Sequence, residues 1–233
     1  MAIENEIHPI QVNTLMVLLF RTNARFSELN TMKIPSDQFN FHLKELIKAS
    51  LIEKHGELYH LTAMGKEFAN KFDTNKSKIE KQSKVTVAVF CIRRTSDENE
   101  YLVQKRLKQP YYGFYGGITG KVTWGETIKE AAIRELMEET NLSGKPILVG
   151  LEHKMDYEKM NGSLLEDKLF FVFRVNEPEG KLKRKFKGGE NIWLNENEIT
   201  KLPDKFDDID LLLKMLRNNS ISFIERKYKV KQY

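Results

Sequence analysis

The sequence predicts an α/β protein built from two domains, and three observations support this. Helical periodicity and a short hairpin pattern fill residues 1–73, a lysine-rich polar stretch spans residues 74–84, and a β-branched run opens residues 85–233. A polar stretch between two periodic regions is typical of a linker. We therefore expect a small domain at 1–73, a linker at 74–84 and a larger α/β domain at 85–233.

The composition excludes several classes of protein. Of the 233 residues, 40% are hydrophobic, 10% aromatic and 30% charged, which is ordinary for a globular chain. The longest apolar run, Leu15 to Phe20, is too short to span a bilayer, so no membrane partner is expected. Residues 1–7 lack the basic start of a secretory signal. The single cysteine, Cys91, cannot form an internal disulfide, which favours a reducing, cytoplasmic location. The net charge of +5 suits an acidic small molecule or nucleic acid.

The first domain is predicted to be mainly helical. Apolar residues recur at three- and four-residue steps after Pro9, which favours a helix, and a shorter helix fits residues 26–29. A third helix begins at a cap formed by Ser36 or Asp37. Its expected buried stripe is Phe39, Leu43, Leu46 and Ile47. A hairpin turning at Gly56 follows, and a last helix is predicted at 63–72.

This order of elements resembles a winged helix-turn-helix domain over about residues 8–73. Such domains usually read DNA with their third helix and their wing. The polar side chains predicted there are Gln38, Asn40, His42, Lys44, Lys48, Lys54 and His55. The domain carries eight cations against nine acids, however, whereas DNA-binding domains show a basic footprint. DNA and a protein partner, including a second copy of the chain in a homodimer, therefore both stay open.

The second domain begins with two strands and continues into a helix with clear end signals. The runs VTVAVFCIRR and YLVQKRL are typical of buried strands and predict a hairpin, with Cys91 as a packed core thiol. Thr127 and Glu130 form a capping-box pattern that starts the helix. Asn141 is suited to end it in the left-handed conformation.

Three carboxylates share one face of this helix. Glu135, Glu138 and Glu139 fall within an arc of about 100°. The opposite arc, expected to face a core, holds Ile133, Leu136 and Met137. Clustered carboxylates repel one another unless a cation joins them, and all-oxygen ligation suits Mg²⁺ or Mn²⁺. The alternative is a solvated, charge-rich helix.

Residues 120–142 resemble the Nudix box, G-x5-E-x7-R-E-U-x-E-E-x-G-U, in which U is aliphatic. The matching residues are Gly120, Glu126, Arg134, Glu135, Glu138 and Glu139, with Leu136 and Leu142 at the aliphatic positions. Only the last glycine differs, because Asn141 stands there. At a usage of ~7% per residue type, such a match arises by chance roughly once per million windows. The resemblance covers about residues 84–218 and implies an α/β/α sandwich with a mixed sheet.

The resemblance also implies an activity and a set of roles. Nudix hydrolases cleave a diphosphate linkage in a nucleotide or nucleoside diphosphate conjugate and need Mg²⁺ or Mn²⁺. Carried over, Glu135, Glu138 and Glu139 hold the metal, with the carbonyl of Thr119 as a further ligand and Glu135 or a later acid near the attacking water. Gly120 makes the tight loop entering the site. Arg134 and Glu126 form a supporting ion pair.

Further residues follow from the same resemblance. An additional metal-binding acid is expected just before the strand carrying Trp193, where Glu190 fits best; weaker candidates are Glu152, Asp156, Glu158, Glu166 and Asp167. Tyr111, Tyr112, Phe114 and Tyr115 precede the box where a base or sugar could stack, or else two of them belong to the core; Tyr112 and Phe114 are the substrate candidates. Tyr157 stands near the position of a tyrosine in the diadenosine polyphosphate subgroup. The five cations of residues 181–187 draw in a polyphosphate or nucleic acid, or else form a solvated hairpin edge.

Two functions compete for the whole chain. The first is metal-dependent hydrolysis of a nucleotide-type substrate by the Nudix domain. The alternative is a ligand-sensing transcription regulator, in which the Nudix domain is the effector module and the winged helix binds DNA. The box tends to be degraded in such regulators, so the nearly intact box favours hydrolysis.

Overall fold

The computed structural model describes residues 7–73, 78–79, 81–96, 98–218, 220–230 and 233. The chain divides into two compact units, residues 1–81 and 82–233. Part of the predicted linker, residues 74–77 and 80, lies outside the described residues. None of the helices in the described ranges has the length and apolar character needed to cross a bilayer.

The N-terminal unit packs four helices against a small sheet. Its helices are α1 (Pro9–Leu19), α2 (Phe26–Leu29), α3 (Ser36–Lys48) and α4 (Ala63–Ala69). Its strands are β1 (Ala24–Arg25), β2 (Ile52–His55), β3 (Leu58–Leu61), β4 (Phe72–Asp73) and β5 (Lys78–Ile79). The sheet has the order β1-β3-β2, and β4 pairs with β5. The predicted three helices, hairpin and closing helix are therefore present, with β1 as an addition too short to show a strand pattern.

Helix α3 differs from its prediction in two respects. Pro35, not Ser36 or Asp37, stands at the N-cap position, and no side chain caps this end. The buried stripe contains His42 instead of Ile47, which is exposed. His42 stacks on His8, with ring centroids 4.3 Å apart, and burial lowers its pKa. His42 is therefore a core residue and not part of the polar face of α3.

The C-terminal unit is organised by one large mixed sheet. Its strands are β6 (Lys84–Arg94), β7 (Asn99–Arg106), β8 (Tyr115–Gly116), β9 (Ile118–Lys121), β10 (Leu142–Ser143), β11 (Ile147–Glu158), β12 (Leu164–Asn176), β13 (Glu179–Gly180), β14 (Lys185–Phe186), β15 (Gly189–Asn195) and β16 (Ser222–Val230). The sheet order is β14-β15-β7-β6-β12-β11-β16, with β8 beside β7 and β9 beside β6. The pairs β12–β6 and β11–β16 are parallel, and the other pairs in this sheet are antiparallel.

Helices cover both faces of this sheet. They are α5 (Ile128–Thr140), α6 (Glu196–Thr200) and α7 (Ile209–Arg217). Successive side chains of a strand point to opposite faces. In β6, Val87, Val89 and Cys91 accordingly pack in the same core as α5, whereas Ala88 and Phe90 pack in a second core with α6 and α7. The result is the α/β/α layering that the sequence predicts. Strand β16 comes from the basic C-terminal tail of the chain.

Candidate active site

Helix α5 is anchored at both ends as the sequence predicts. Thr127 and Glu130 form the reciprocal capping box: the Glu130 amide donates to Thr127 Oγ1 (3.2 Å), and the Thr127 amide donates to Glu130 Oε2 (2.8 Å). Asn141 ends the helix in the left-handed conformation with φ 58°. Because these contacts fix the helix ends, the carboxylates between them stand on a rigid element.

The buried face of α5 is not the one expected from hydrophobicity. Ile133 and Met137, predicted to face the core, are 45% and 44% exposed. Leu136 is buried as predicted, and Ala132 and Glu139 complete the buried stripe, with Glu139 only 8% exposed. The helix therefore turns one of its candidate metal-binding carboxylates against the sheet, which a pattern of apolar residues cannot reveal.

Arg134 holds the loop and the helix together. Its Nε and Nη2 donate to the two oxygens of Glu126 at 2.7 and 2.9 Å, which is a bidentate ion pair. Its Nη1 donates to Glu135 (2.6 Å) and lies 3.5 Å from Glu138. Thr123 adds two hydrogen bonds to Glu126. The hydrogen bonds from Arg134 and Thr123 lower the pKa of Glu126 to about 2, so this carboxylate stays ionised.

Gly120 provides space for Glu135. A Cβ atom at Gly120 would lie 1.8 Å from the Glu135 carboxyl carbon. Gly120 belongs to β9, paired with Val87 of β6, so the expectation that it forms a tight loop is wrong. Its neighbour Thr119 lines the same groove as Glu135. The glycine is required by the close approach of a carboxylate to a strand.

Glu139 is held by residues that the sequence did not single out. Gln104 Nε2 donates to Glu139 Oε2 at 2.9 Å, and Lys108 Nζ lies 3.8 Å from Oε1. Asn191 Nδ2 donates to the main-chain carbonyl of Glu139 at 2.8 Å. Burial raises the pKa of Glu139, against the opposing effect of Gln104 and Lys108. The available signal was weak: Gln104 and Asn191 are polar residues within otherwise apolar strand patterns.

A cationic groove of about 520 Å³ runs past Glu135. Such a volume suits a small-molecule ligand. Its charged lining residues are Lys84, Arg106, Lys108, Lys121, Arg134, Glu135, Glu166 and Lys168. Glu166 accepts a hydrogen bond from Lys84 at 2.7 Å. Burial favours a raised pKa for Glu166, but hydrogen bonds from Lys84 and Tyr233 outweigh it and lower the pKa. Six cations against two acids favour an anionic ligand.

An enclosed cavity adjoins this groove and shares Arg106, Thr119, Lys168 and Phe170 with it. Lys154 Nζ donates to Asp208 (2.7 Å), and Tyr111 Oη donates to Asp156 (2.7 Å). Glu152 Oε2 and Asp156 Oδ1 are buried and find no hydrogen-bond partner within the described chain. Burial and the carboxylate of Asp208 raise the pKa of Glu152 to about 8.

The remaining predicted site residues lie apart from the groove. Glu190 pairs with Lys185 at 2.8 Å in a different groove beside Trp193. It precedes Asn191 on β15, so it points to the face opposite Glu139. The structure does not bring Glu190 to the other three glutamates.

The aromatic candidates also stand away from the groove lining. Tyr112 is half exposed, and Phe114 packs against Phe206 with ring centroids 5.4 Å apart. Tyr157 belongs to β11, and Lys227 Nζ lies 5.9 Å from the centroid of its ring. Tyr111, adjacent to Tyr112, lines the cavity together with Phe90, Phe170 and Phe206.

The carboxylates are oriented toward protein partners in this structure. Glu135 and Glu138 turn to Arg134, and Glu139 turns to Gln104. Among the residues that the structure describes, no three carboxylate, imidazole or thiol groups are grouped so that they could hold a metal ion.

The α/β/α layering, with an Arg-Glu-x-x-Glu-Glu helix held at a cationic groove, defines the Nudix class of fold. The NUDIX domain family model matches residues 84–215, and the chain belongs to this family. It is a Nudix-type pyrophosphohydrolase, an enzyme acting on acid anhydrides in phosphorus-containing compounds.

Individual relatives agree with this assignment. The chain is 27% identical over 148 residues to an ADP-ribose pyrophosphatase of Methanocaldococcus jannaschii, covering 63% of this chain and 85% of the relative. The MutT mutator protein of Bacillus halodurans has a similar fold, with a TM-score of 0.53 and 22% identity over 63% of this chain and 90% of that one. The NUDIX domain of Shewanella oneidensis NrtR, solved with ADP-ribose, gives a TM-score of 0.50 at 14% identity over 67% of this chain and 97% of that one.

Proposed function

We propose that the enzyme hydrolyses the diphosphate linkage of a nucleoside diphosphate conjugate, with ADP-ribose as the first candidate. The observation that carries this proposal is the cationic groove that contains Glu135, Thr119 and Gly120 together. Its lysines and arginines suit the oxygens of a diphosphate, since guanidinium and ammonium groups both bind phosphate well. The archaeal relative named ADP-ribose pyrophosphatase supports this choice of substrate.

We further propose that Mg²⁺ or Mn²⁺ binds to Glu135, Glu138 and Glu139, with the Thr119 carbonyl as an additional ligand. The donor set fits because hard divalent cations prefer carboxylate and carbonyl oxygens. The bare backbone of Gly120 leaves room for the Glu135 carboxylate, and Arg134 already supplies positive charge between Glu135 and Glu138. Since Glu190 faces away from this cluster, we do not include it.

In the reaction, water attacks one phosphorus atom, the bridging P–O bond breaks, and the other phosphate leaves. A divalent metal held by Glu135, Glu138 and Glu139 would neutralise charge on the diphosphate and make the attacking water more acidic. Lys84, Arg106 and Lys168 orient the diphosphate and stabilise the charge that develops on the leaving phosphate. Glu135 and Glu166 line the groove and are the candidates for accepting the proton of the attacking water.

The enclosed cavity has a volume of about 60 Å³, which is too small for a base or a ribose and suits one or two ordered waters. Glu152 Oε2 and Asp156 Oδ1 lack a hydrogen-bond partner among the described residues, and an unsatisfied buried polar group is costly. Water in this cavity would satisfy them. The nucleotide is therefore expected to occupy the groove and not the cavity.

The test is a substrate panel on the wild-type protein, with Mg²⁺ in one arm and a chelator in the other. The panel contains nucleoside triphosphates, their oxidised forms, ADP-ribose, NADH and dinucleoside polyphosphates. We expect release of AMP from ADP-ribose in the Mg²⁺ arm alone. Turnover of nucleoside triphosphates without turnover of ADP-ribose would replace the proposed substrate, and turnover in the chelator arm would overturn the metal requirement.

A second candidate function concerns the N-terminal unit, which we propose to be a winged helix-turn-helix domain. The supporting observation is that α3 exposes Gln38, Asn40, Lys44 and Lys48 on its surface, beside the β2–β3 hairpin. These side chains suit contacts with DNA in the third helix of such a domain. A gel shift of duplex DNA at submicromolar protein would support a regulator if the affinity falls steeply as the salt concentration rises. Contacts to DNA phosphates release counterions and produce this dependence. If the Lys44→Gln/Lys48→Gln variant bound duplex DNA as tightly as the wild-type protein, α3 would be excluded as the DNA contact.

A further inference from the structure

The basic run of residues 181–187 lies at the C-terminal end of α5. The Lys183 amide donates to the carbonyl of Thr140 at 2.8 Å, and Lys183 Nζ donates to the carbonyl of Glu138 at 2.8 Å. Asn141 Nδ2 donates to the carbonyl of Lys181 at 3.1 Å. The last four carbonyls of a helix have no partner within the helix, and a positive charge is favourable at this end. The run therefore caps the helix that carries the metal-binding glutamates.

Asn191 joins this cap to the sheet. Its Nδ2 donates to the carbonyls of both Glu139 and Lys183, each at 2.8 Å. The side chain is 5% exposed, so these bonds are made away from solvent. Through this one amide, β15 holds the main chain of Glu139 and the backbone of the basic run in a fixed relation.

Gln104 extends the same network to the carboxylate of Glu139. Its Nε2 donates to Glu139 Oε2 at 2.9 Å and to Asn191 Oδ1 at 3.3 Å. Gln104, Asn191 and Glu139 are all buried. An amide that donates to one carboxylate oxygen fixes the orientation of the group and leaves the second oxygen for a metal.

We infer that Gln104, Asn191 and Lys183 are positioning residues for metal binding: Gln104 orients the carboxylate of Glu139, and Asn191 and Lys183 hold the main chain at Glu139 and Glu138. This inference rests on the proposed metal site. It also gives the basic run a role: Lys183 secures the catalytic helix, instead of gathering anions as part of a charged surface. Lys187 belongs to the same run and makes no hydrogen bond to α5 within the described part of the chain. It therefore serves as the matched control.

The magnitude follows from what such outer partners contribute elsewhere. Removing a residue that orients a metal ligand typically weakens metal affinity about 10- to 100-fold. Gln104 acts on the ligand side chain itself, and Asn191 acts on its main chain. Lys183 keeps its backbone bonds when its side chain is replaced, so its effect is expected to be the smallest of the three.

The experiment measures Mn²⁺ binding to the metal-free full-length protein by electron paramagnetic resonance of free Mn²⁺. The variants are Gln104→Met, Asn191→Leu and Lys183→Met, with Lys187→Met as control. We expect dissociation constants raised about 10- to 100-fold for the first two, a smaller rise for Lys183→Met and none for Lys187→Met. The concentration of Mg²⁺ that gives half-maximal turnover should rise in the same order, while kcat at saturating Mg²⁺ changes less.

A second variant covers the case in which Gln104→Met does not fold, as judged by circular dichroism. Gln104→Asn keeps a buried amide but withdraws it by one methylene, and the same weakening is expected. Wild-type Mn²⁺ affinity in folded Gln104→Met or Gln104→Asn would overturn the inference. An equal loss in Lys183→Met and Lys187→Met would overturn the role of Lys183, because removing a positive charge by itself strengthens Mn²⁺ binding instead of weakening it. If the wild-type protein itself bound no Mn²⁺, the proposed metal site would fail instead.

Discussion

A Cβ atom on Gly120 would lie 1.8 Å from the carboxyl carbon of Glu135 and 1.9 Å from its Oε1. The two residues come from different elements, since Gly120 belongs to β9 and Glu135 to α5. The carboxylate is therefore seated directly against the main chain of a strand. The same Oε1 atom accepts a hydrogen bond from Arg134 Nη1 at 2.6 Å.

This contact predicts the effect of Gly120→Ala. The new methyl group must displace either Glu135 or β9, and forced overpacking typically costs about 1–3 kcal/mol. A displacement of about 1 Å at a catalytic group can reduce turnover about 100-fold. Urea denaturation measures the first quantity and the rate of ADP-ribose hydrolysis the second. Gly162→Ala is the control, because Gly162 has a positive φ but open space around its Cβ position. Its turnover should stay at the wild-type value; an active Gly120→Ala enzyme would contradict the role assigned to this contact.

Glu126 is expected to contribute to stability in a pH-dependent way. Hydrogen bonds from Arg134 and Thr123 lower its pKa from 4.5 to about 2 in the folded state. A lowered folded pKa means that the unfolded state binds the proton first, so the contribution is complete above about pH 4.5 and disappears as the pH falls to about 2. The melting temperatures of wild-type and Glu126→Gln protein should differ most at pH 6 and should converge as the pH falls to about 2. A difference that stays constant with pH would show that the ion pair does not carry this contribution.

For Glu152 we expect the opposite dependence of stability on pH. Burial and Asp208 raise its pKa to about 8, so the folded state holds the proton more tightly than the unfolded state. The protonated carboxyl contributes stability that is complete below about pH 4.5 and is lost as the pH rises to about 8. Relative to the wild type, Glu152→Gln should become progressively more stable over this range and level off above it. Parallel pH profiles of the two proteins would show that the pKa of Glu152 is the same in the folded and unfolded states.

The buried pair of Lys154 and Asp208 predicts a large cost for removing one partner alone. The two groups are joined at 2.7 Å and both side chains are under 10% exposed. Lys154→Met leaves Asp208 and Asp156 without their cation, and breaking such a pair typically costs about 3–5 kcal/mol. The double variant Lys154→Met/Asp208→Asn should recover part of this loss, because it removes the stranded charge. Equal free energies of unfolding for the single and double variants would argue against a coupled pair.

Local signals predicted the ends of α5 correctly, and tertiary contacts explain what they could not predict. The capping box of Thr127 and Glu130 and the left-handed Asn141 each depend on residues adjacent in the chain. The rotation of α5 about its own axis depends instead on contacts with distant parts of the chain. Ile133 and Met137 are exposed because Glu139 occupies the inner face, where Gln104 from β7 and Asn191 from β15 satisfy it.

The site residues divide in the same way. The Nudix box predicted the ion pair of Arg134 and Glu126, since all of its members lie within one short segment. Glu190 faces away from the other glutamates because neighbouring residues of a strand point to opposite faces of the sheet. The groove cations Lys84, Arg106 and Lys168 come from β6, β7 and β12, and only the strand order brings them together.

We propose that Glu139 belongs to a metal-dependent diphosphate hydrolase site. The most direct test of this proposal compares ADP-ribose turnover at saturating Mg²⁺ in wild-type, Glu139→Gln and Glu179→Gln protein, the last being an exposed glutamate outside the site. We predict that Glu139→Gln loses more than about 100-fold in kcat, since even outer partners of metal ligands are worth about 10- to 100-fold. Glu179→Gln should match the wild type. A folded Glu139→Gln enzyme with wild-type turnover would contradict the account.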